Sequence, residues 1–256
     1  MDLFKTYGRD LIVSNPTYSS TYTINRTDLY FLNDVEYSRL KTKKIIFIRH
    51  ANSKCNSYKG TVSERRVDKD LLDSPLTELG KTEALQLKKE LWDSDKIDLV
   101  VSSPLSRAME TAGLVFPDRD IKLLNILAET VGGWGDVGLL YEDRLCRNSD
   151  LSTIRWDKSD MTYGVGDSWH TNKLWNLIDE GGLKNARPYE NIESTNNRIQ
   201  LFWKWVANTE GYNSIAVVTH SKLLGRPTND YGILLSRAKS TNKEFKNCEL
   251  VETNFI

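Results

Sequence analysis

Short runs of apolar residues alternate with amphipathic stretches along most of the chain. The runs at 45–49, 97–101 and 215–220 are largely apolar, which is typical of strands buried on both faces of a sheet. Residues 75–92 carry apolar side chains at helical spacing, and Thr77 is suited to cap the start of that helix. The alternation predicts an α/β fold in three layers, with a mostly parallel central sheet and helices on both faces.

The remaining segments extend this pattern. Residues 106–116 and 191–207 return to helical spacing, and a last apolar strand begins near Cys248. Residues 121–128 indicate a third strand or an extended edge of the sheet. A helix-like stretch follows His220, so the alternation continues to the end of the chain.

Two regions depart from the alternation. Residues 1–43 are rich in Tyr, Thr, Ser and Asn and show no sustained period, which predicts an N-terminal extension that packs on the main domain or stays partly loose. Residues 44–256 are predicted to form that domain. Within it, residues around 130–190 are rich in Gly, Trp and charge, and their weak periodicity favours a helical or loop cap inserted into the domain.

Composition narrows the classes of partner. The 256 residues include 35 Lys and Arg and 35 Asp and Glu, so overall charge favours neither nucleic acid nor an anionic membrane. No apolar run approaches the roughly 18 residues that cross a bilayer, and the N-terminus lacks a signal-peptide pattern. Cys55, Cys146 and Cys248 are widely spaced, which indicates reduced thiols in the cytoplasm and no metal site. No cofactor is predicted, and the oligomeric state is left open.

Two of the three histidines stand where predicted strands end. His50 follows Arg49 at the end of the first strand, and His220 ends the run at 215–220. Ligands of open parallel sheets bind outside the carboxyl ends of the strands, and Arg107 follows the second strand on the first turn of a predicted helix. Two arginines and two histidines at one edge predict a site for a compact anion, and phosphate suits the planar fork of arginine.

The segments that carry these residues resemble known motifs. RHANSKCN at 49–56 is similar to the RHGxSxxN motif of the histidine phosphatase superfamily, in its phosphoglycerate mutase-like branch. DSPLTELG at 73–80 resembles the DxPLTxxG segment of that family, and SSPLSRA at 102–108 resembles its SSPxxRA turn.

The resemblance continues towards the C-terminus, with two departures. Glu129 resembles the acidic residue of the family, and His220 after a threonine resembles its second histidine. Ala51 and Ser221 stand where the family has a glycine after each histidine. Alanine is the smallest alternative to glycine, so we expect the loop after His50 to keep its shape.

Covalent catalysis is what the resemblance implies. It implies that His50 attacks phosphorus and becomes a phosphohistidine, and that Glu129 protonates the leaving alkoxide. The other residues with an implied catalytic role would neutralise the charge on the equatorial oxygens: Arg49, Arg107 and, if protonated, His220. The implied substrate-binding residues are Arg49, Ser53, Asn56, Arg107, His220 and Ser221. No metal ion is predicted.

Three functions remain open at the level of sequence. The first is hydrolysis of a small phosphomonoester, the second is a phosphoglycerate mutase-type transfer, and the third is a non-catalytic relative that binds or regulates. The long segment after Asn56 favours hydrolysis, because mutases need a closed site. Within that segment, Arg65, Arg66 and Lys69 form either a solvated loop or a rim that binds a second phosphate.

Overall fold

A computed structural model of the protein describes residues 19–92, 97–139, 143, 149–161, 163, 176–178, 187–225 and 245–256. Its strands are β1 (Ser19–Ile24), β2 (Lys44–Arg49), β3 (Leu99–Ser102), β4 (Ile121–Leu123), β5 (Trp156–Asp157), β6 (Asn176–Ile178), β7 (Arg187–Tyr189), β8 (Ser214–Thr219) and β9 (Leu250–Phe255). Its helices are α1 (Asp34–Lys41), α2 (Val62–Val67), α3 (Glu78–Trp92), α4 (Ser106–Val115), α5 (Ile192–Asn208) and α6 (Ser221–Gly225). Short 3-10 helices occur at Arg26–Leu29, Lys69–Leu71, Asn125–Leu127, Trp134–Asp136 and Ser149–Thr153.

A central sheet joins seven of the described strands in the order β1-β9-β2-β8-β3-β4-β5. Neighbouring strands are parallel throughout, except that β9 runs antiparallel to β2. Strands β6 and β7 form a separate antiparallel pair. The mostly parallel α/β sheet predicted from the sequence is confirmed.

Helices cover both faces of this sheet because the central strands are apolar on both sides. In β2, Ile45 and Phe47 face a core that includes Phe202 and Trp203 of α5. Ile46 and Ile48 face the opposite core, which α3 and α4 line. Successive side chains of a strand point to opposite faces, so the continuous apolar run of β2 supplies both cores and fixes the three layers.

Local chemistry sets the start of α3. The Thr77 hydroxyl accepts a hydrogen bond from the Gly80 amide at 3.1 Å, which satisfies one of the free N–H groups at a helix start. The same turn lies against the loop that follows His50, because Asn52 O is 2.0 Å from where a Cβ of Gly80 would lie. Only a glycine permits this approach, and it anchors the loop on α3.

Two edge strands come from regions that the sequence pattern placed outside the main alternation. β1 lies within the predicted N-terminal extension and pairs with β9, while β5 lies within the predicted cap and pairs with β4. The predicted strand at 121–128 is shorter than expected, since β4 ends at Leu123 and a 3-10 turn follows. The division into domains stays a prediction, and much of the predicted cap, together with Cys146, lies outside the described residues. Among the described helices, none is both long and apolar enough to cross a membrane.

Candidate active site

The carboxyl ends of β2 and β8 lie at the same level of the sheet. Arg49 pairs with Thr219 in the register of these parallel strands, and the His50 amide donates to Thr219 O at 2.9 Å. His50 and His220 therefore follow directly at the same edge, with ring centroids 5.0 Å apart. The expected meeting of the two histidines is observed.

Hydrogen bonds select one neutral form of His50. Its Nδ1 lies 2.7 Å from Ala51 O, and a carbonyl oxygen only accepts, so Nδ1 carries the proton. Arg107 Nε donates to His50 Nε2 at 3.2 Å, which requires a lone pair on Nε2. Burial, followed by the charges of Arg107 and Arg49, holds the pKa of His50 well below its usual value. The imidazole is thus neutral near pH 7, with the lone pair of a nucleophile on Nε2.

Arg107 lies buried on the first turn of α4, where it links His50 to the loop after Glu129. Its Nη1 donates to Gly135 O at 2.7 Å, and its Nη2 donates to Asp136 Oδ1 at 3.0 Å. The other carboxylate oxygen, Asp136 Oδ2, accepts from Lys222 Nζ at 3.2 Å. Asp136 therefore bridges two cations, and the sequence reasoning did not single it out.

Arg49 ends β2 and is almost fully buried. Its Nη1 donates to Phe245 O, in the segment that leads into β9. The Cys248 amide in turn donates to Arg49 O at 3.1 Å. The segment that leads into β9 thus holds the arginine that precedes His50.

His220 is fully buried and contacts the His50 ring, but it is not among the residues that line the cavity beside them. Its Nε2 lies 2.7 Å from Ser103 Oγ, while Nδ1 has no hydrogen-bond partner among the residues that the structure describes. Burial and then Arg107 hold the pKa of His220 well below its usual value. Among these side chains His220 is neutral, so the protonated form considered from the sequence would need an added negative charge.

Glu129 is buried against the first turn of α6. Its carboxylate accepts hydrogen bonds from the amides of Leu223 at 3.0 Å, Lys222 at 3.2 Å and Thr130 at 2.9 Å. Burial raises the pKa of Glu129, and Asp136 adds to the rise while Lys222 opposes it. A raised pKa suits a general acid, because the proton is retained nearer neutral pH.

The loop after His50 is held by its own polar side chains. Ser53 Oγ donates to Asn56 Oδ1 at 2.9 Å, so these two predicted phosphate-binding residues bond to each other. The Ala51 amide donates to Thr111 Oγ1 on α4 at 3.0 Å. Ala51 is fully buried, and the loop accommodates the methyl group that stands in place of the motif glycine.

A cavity of about 110 Å³ opens at this edge of the sheet. Five cations and two carboxylates line it, together with His50, Ser53, Asn56 and Ser221: the cations are Arg49, Arg65, Arg66, Arg107 and Lys222, and the carboxylates are Glu129 and Asp136. With both histidines neutral, the lining carries an excess of three positive charges when both carboxylates are ionised. Such a cavity attracts a small, multiply charged anion. Among the described residues, no group of three or more His, Cys, Asp or Glu could hold a metal ion.

Comparison with protein families shows which family has residues in this arrangement. A family model of the histidine phosphatase superfamily (branch 1) matches residues 45–170, a segment that includes His50, Arg107 and Glu129. Residues 45–170 belong to the histidine phosphatase superfamily. The family predicted from the motifs, and with it an enzyme of phosphatase type, is confirmed. No curated protein matches the sequence.

Solved structures share the fold of this histidine phosphatase. The ecdysone phosphate phosphatase of Bombix mori is 16% identical and has a TM-score of 0.52, with 81% of this chain and 87% of that chain covered. The alpha-ribazole phosphatase of Shigella flexneri is 22% identical, with a TM-score of 0.41 and coverage of 70% and 74%. A mycobacterial glucosyl-3-phosphoglycerate phosphatase is 17% identical, with a TM-score of 0.46 and coverage of 82% and 92%. The likeness to the first of these structures, with its TM-score of 0.52, concerns the fold.

A second buried ion pair holds the segment around Glu129 in this histidine phosphatase, and the sequence reasoning did not assign it a role. Arg198 Nε and Nη2 donate to Glu190 Oε1 and Oε2 at 2.9 and 2.7 Å. Arg198 Nη1 donates to Ala128 O at 2.8 Å, and the Val131 amide donates to Glu190 Oε2 at 3.3 Å. The pair thus holds the backbone on both sides of Glu129. The spacing of the two residues around the start of a predicted helix was a signal for it.

Proposed function

We propose that this protein hydrolyses a small phosphomonoester through a phosphohistidine intermediate on His50. The observation that carries the proposal is the state of His50, a neutral imidazole whose Nε2 lone pair is fixed by Arg107 beside a cation-lined cavity. A neutral imidazole is a nucleophile, and the tautomer that attack requires is already selected; the phosphoryl group takes the place of Arg107 Nε at the Nε2 lone pair.

In the first step the Nε2 lone pair forms a bond to phosphorus while the ester P–O bond breaks. Charge spreads over the equatorial oxygens, and Arg49 and Arg107 lie close enough to His50 to lower its pKa. Fixed cations of this kind stabilise such a transition state without reorganising. His220 is neutral beside them, and an approaching phosphoryl dianion would raise its pKa and favour the protonated donor form.

Glu129 supplies the proton that the leaving alkoxide needs. Burial raises the pKa of Glu129, which favours the protonated form that a general acid needs, and Glu129 lines the same cavity as His50. In the second step the carboxylate takes a proton from water as the water oxygen attacks phosphorus. The P–N bond then breaks, which releases phosphate and returns neutral His50 and protonated Glu129 to their starting states.

Cys55 is a second potential nucleophile in the cavity lining, and its thiol is not activated. Burial raises the pKa of Cys55, and the charge of Arg107 only partly opposes this rise. A thiol needs to be deprotonated to attack, so this environment favours His50 over Cys55 as the site of the covalent intermediate.

Acid-quench labelling tests the proposal. Enzyme mixed with a ³²P-labelled phosphomonoester and denatured should carry label that is stable to base and labile to acid, and the label should map to His50. His50→Ala should abolish both label and turnover while the unfolding transition stays cooperative. Label on a serine or on Cys55, or turnover that survives in the variant, would refute the proposal.

A further inference from the structure

Helix α2 forms a wall of the cavity rather than a separate element. Its start is closed by a capping box, in which the Glu64 amide donates to Thr61 Oγ1 at 3.2 Å and the Thr61 amide donates back to Glu64 Oε2 at 2.6 Å. A Cβ at Gly133 would lie 2.7 Å from Arg66 Cα, so the missing side chain lets α2 lie directly on the loop after Glu129. This contact fixes α2 beside the catalytic residues.

Two arginines of α2 line the cavity without a partner in the described part of the chain. Arg65 and Arg66 are half-buried, and no hydrogen bond or ion pair joins their guanidinium groups to any described residue. Arg107 and Lys222, which also line the cavity, differ from them because they share the carboxylate of Asp136. Arg65 also acts on the cavity electrostatically, since its charge lowers the pKa of the Cys55 thiol against the larger effect of burial.

The charge balance of the cavity indicates more than one anionic group in the ligand. Five cations and two carboxylates line it, so three positive charges remain when Glu129 is ionised and four remain when it is protonated. The dianion of a phosphomonoester neutralises two of them. Half-buried cations are most stable when paired, because burial penalises an isolated charge. Arg65 and Arg66 line the cavity and have no partner among the described residues, so they are the cations available to a second anionic group.

Resting on the proposed function, we propose that the substrate is a phosphomonoester whose alcohol part carries a second anionic group, and that Arg65 and Arg66 bind this group. A carboxylate and a second phosphate both match the paired N–H groups of arginine. The attacked phosphoryl group lies at His50 between Arg49 and Arg107, and the second group lies towards α2. The inserted segment between Asn56 and Asp73 is then the part of the chain that determines substrate specificity.

Matched three-carbon esters test this assignment by steady-state kinetics. Glycerol 3-phosphate carries one anionic group, 3-phosphoglycerate adds a carboxylate, and glycerol 1,3-bisphosphate adds a phosphate. We expect kcat/KM for at least one of the two doubly anionic esters to exceed that for glycerol 3-phosphate by roughly 10-fold or more, as one or two charge-assisted hydrogen bonds provide. Which of the two is preferred identifies the second group.

The double variant Arg65→Gln/Arg66→Gln should remove this preference: kcat/KM for the preferred doubly anionic ester should fall by roughly 10-fold more than kcat/KM for glycerol 3-phosphate or nitrophenyl phosphate, which lose only the general attraction of the two charges. The double variant with lysine at both positions should retain part of the preference, because it keeps the charges and loses the fork. Lys89→Gln removes an exposed cation of α3 outside the cavity and serves as the control. A wild-type enzyme without the preference, or a glutamine variant that keeps it, would overturn the assignment.

Calorimetric binding separates this inference from the proposed function. If the wild-type protein hydrolyses none of the esters, nitrophenyl phosphate included, the proposed function fails. Titration of the wild-type and glutamine variants with 3-phosphoglycerate, the bisphosphate and glycerol 3-phosphate then decides the inference alone. Tighter binding of a doubly anionic ester that is lost in the glutamine variant supports the site, and equal binding of all three esters overturns it.

Discussion

Two buried arginine–carboxylate pairs contact the segment around Glu129, and they differ in what the arginine has left to bind. Arg198 donates twice to Glu190 and twice to backbone carbonyls, and its side chain is only 3% exposed. Arg107 makes one bond each to His50, Gly135 and Asp136, and it lines the cavity. Arg198 uses four of its five N–H groups within the protein and is not among the residues that line the cavity, whereas Arg107 lines the cavity and has two N–H groups left for a ligand.

The carboxylates of the two pairs differ in the same way. Glu190 is 1% exposed and bonds to the protein through both oxygens. Asp136 lies in the cavity wall and divides its oxygens between Arg107 and Lys222. The Arg107–Asp136 pair is shared with a second cation and faces the cavity, so it can exchange partners with an anionic ligand. The Arg198–Glu190 pair bonds within the protein and only holds the backbone. An arginine paired with a carboxylate thus holds the backbone at Arg198 and faces a ligand cavity at Arg107.

The largest effect is expected on stability, from breaking the Arg198–Glu190 pair. Arg198→Met should lower the free energy of unfolding by about 3–5 kcal/mol, because it leaves the Glu190 carboxylate buried without its partner. Urea unfolding measures this loss, and Arg39→Met on the exposed face of α1 is the control, with an expected change within about 0.5 kcal/mol. The double variant Glu190→Gln/Arg198→Met should be more stable than the sum of the two single losses predicts. Additive losses would show that the two side chains are not coupled.

Next in size is the effect of changing the arginine that has N–H groups to spare. Arg107→Ala should lower kcat by roughly 10²–10³-fold, the usual loss for a donor that stabilises a transition state. Arg107→Lys should lose less but stay below wild type, since lysine keeps the charge without the fork. Both variants should lose less unfolding free energy than Arg198→Met, because Asp136 keeps Lys222 as a partner. A lysine variant with wild-type kcat would contradict the phosphate-binding role of Arg107.

The smallest effect is expected in the pH dependence of activity when the carboxylate of the Arg107–Asp136 pair is changed. Removal of the Asp136 charge in Asp136→Asn should lower the pKa of Glu129, because that charge now helps to raise it. A general acid must be protonated, so activity is lost as pH rises through this pKa, and the alkaline limb of the kcat/KM profile should move to lower pH. The acid limb should not move to higher pH, since an unshared Arg107 lowers the pKa of His50 further.

Asp118→Asn, which removes an exposed carboxylate after α4, is the control for the profile. Its pH profile should match wild type on both limbs. An alkaline limb that moves to higher pH in Asp136→Asn, or that does not move, would show that Asp136 does not act on the acid that we propose.

The position of the site followed from local patterns in the sequence. The apolar runs that end at Arg49 and Thr219 predicted parallel strands, and their carboxyl ends are where the structure places the two histidines. Such a prediction needs only the alternation of buried strands and helices and the rule for ligands at strand ends. Glu129 was identified through the family resemblance. The resemblance did not identify the residues that surround it, Asp136 and the Arg198–Glu190 pair.

Edge strands and some helix faces were less accessible to sequence reasoning. β1 has one buried residue, Ile24, among those whose side chains are described, so its sequence lacks an apolar alternation and its backbone pairing with β9 defines it. Leu79 belongs to the helical spacing of apolar residues in 75–92 that predicted α3, but it is 41% exposed. The first turn of α3 faces the loop after His50 rather than the core, and only the packing of that loop decides which side chains are covered.

By itself, the sequence determined the layered α/β fold, the edge of the sheet at which His50 and His220 both lie, and the superfamily. These depend on burial patterns and short motifs, which are properties of neighbouring residues. The tertiary structure alone decided which cations are paired, which are left for a ligand, and that both histidines are neutral. Desolvation and charge interactions act between residues as far apart in sequence as Asp136 and Lys222, and their strength depends on distances that no local pattern encodes.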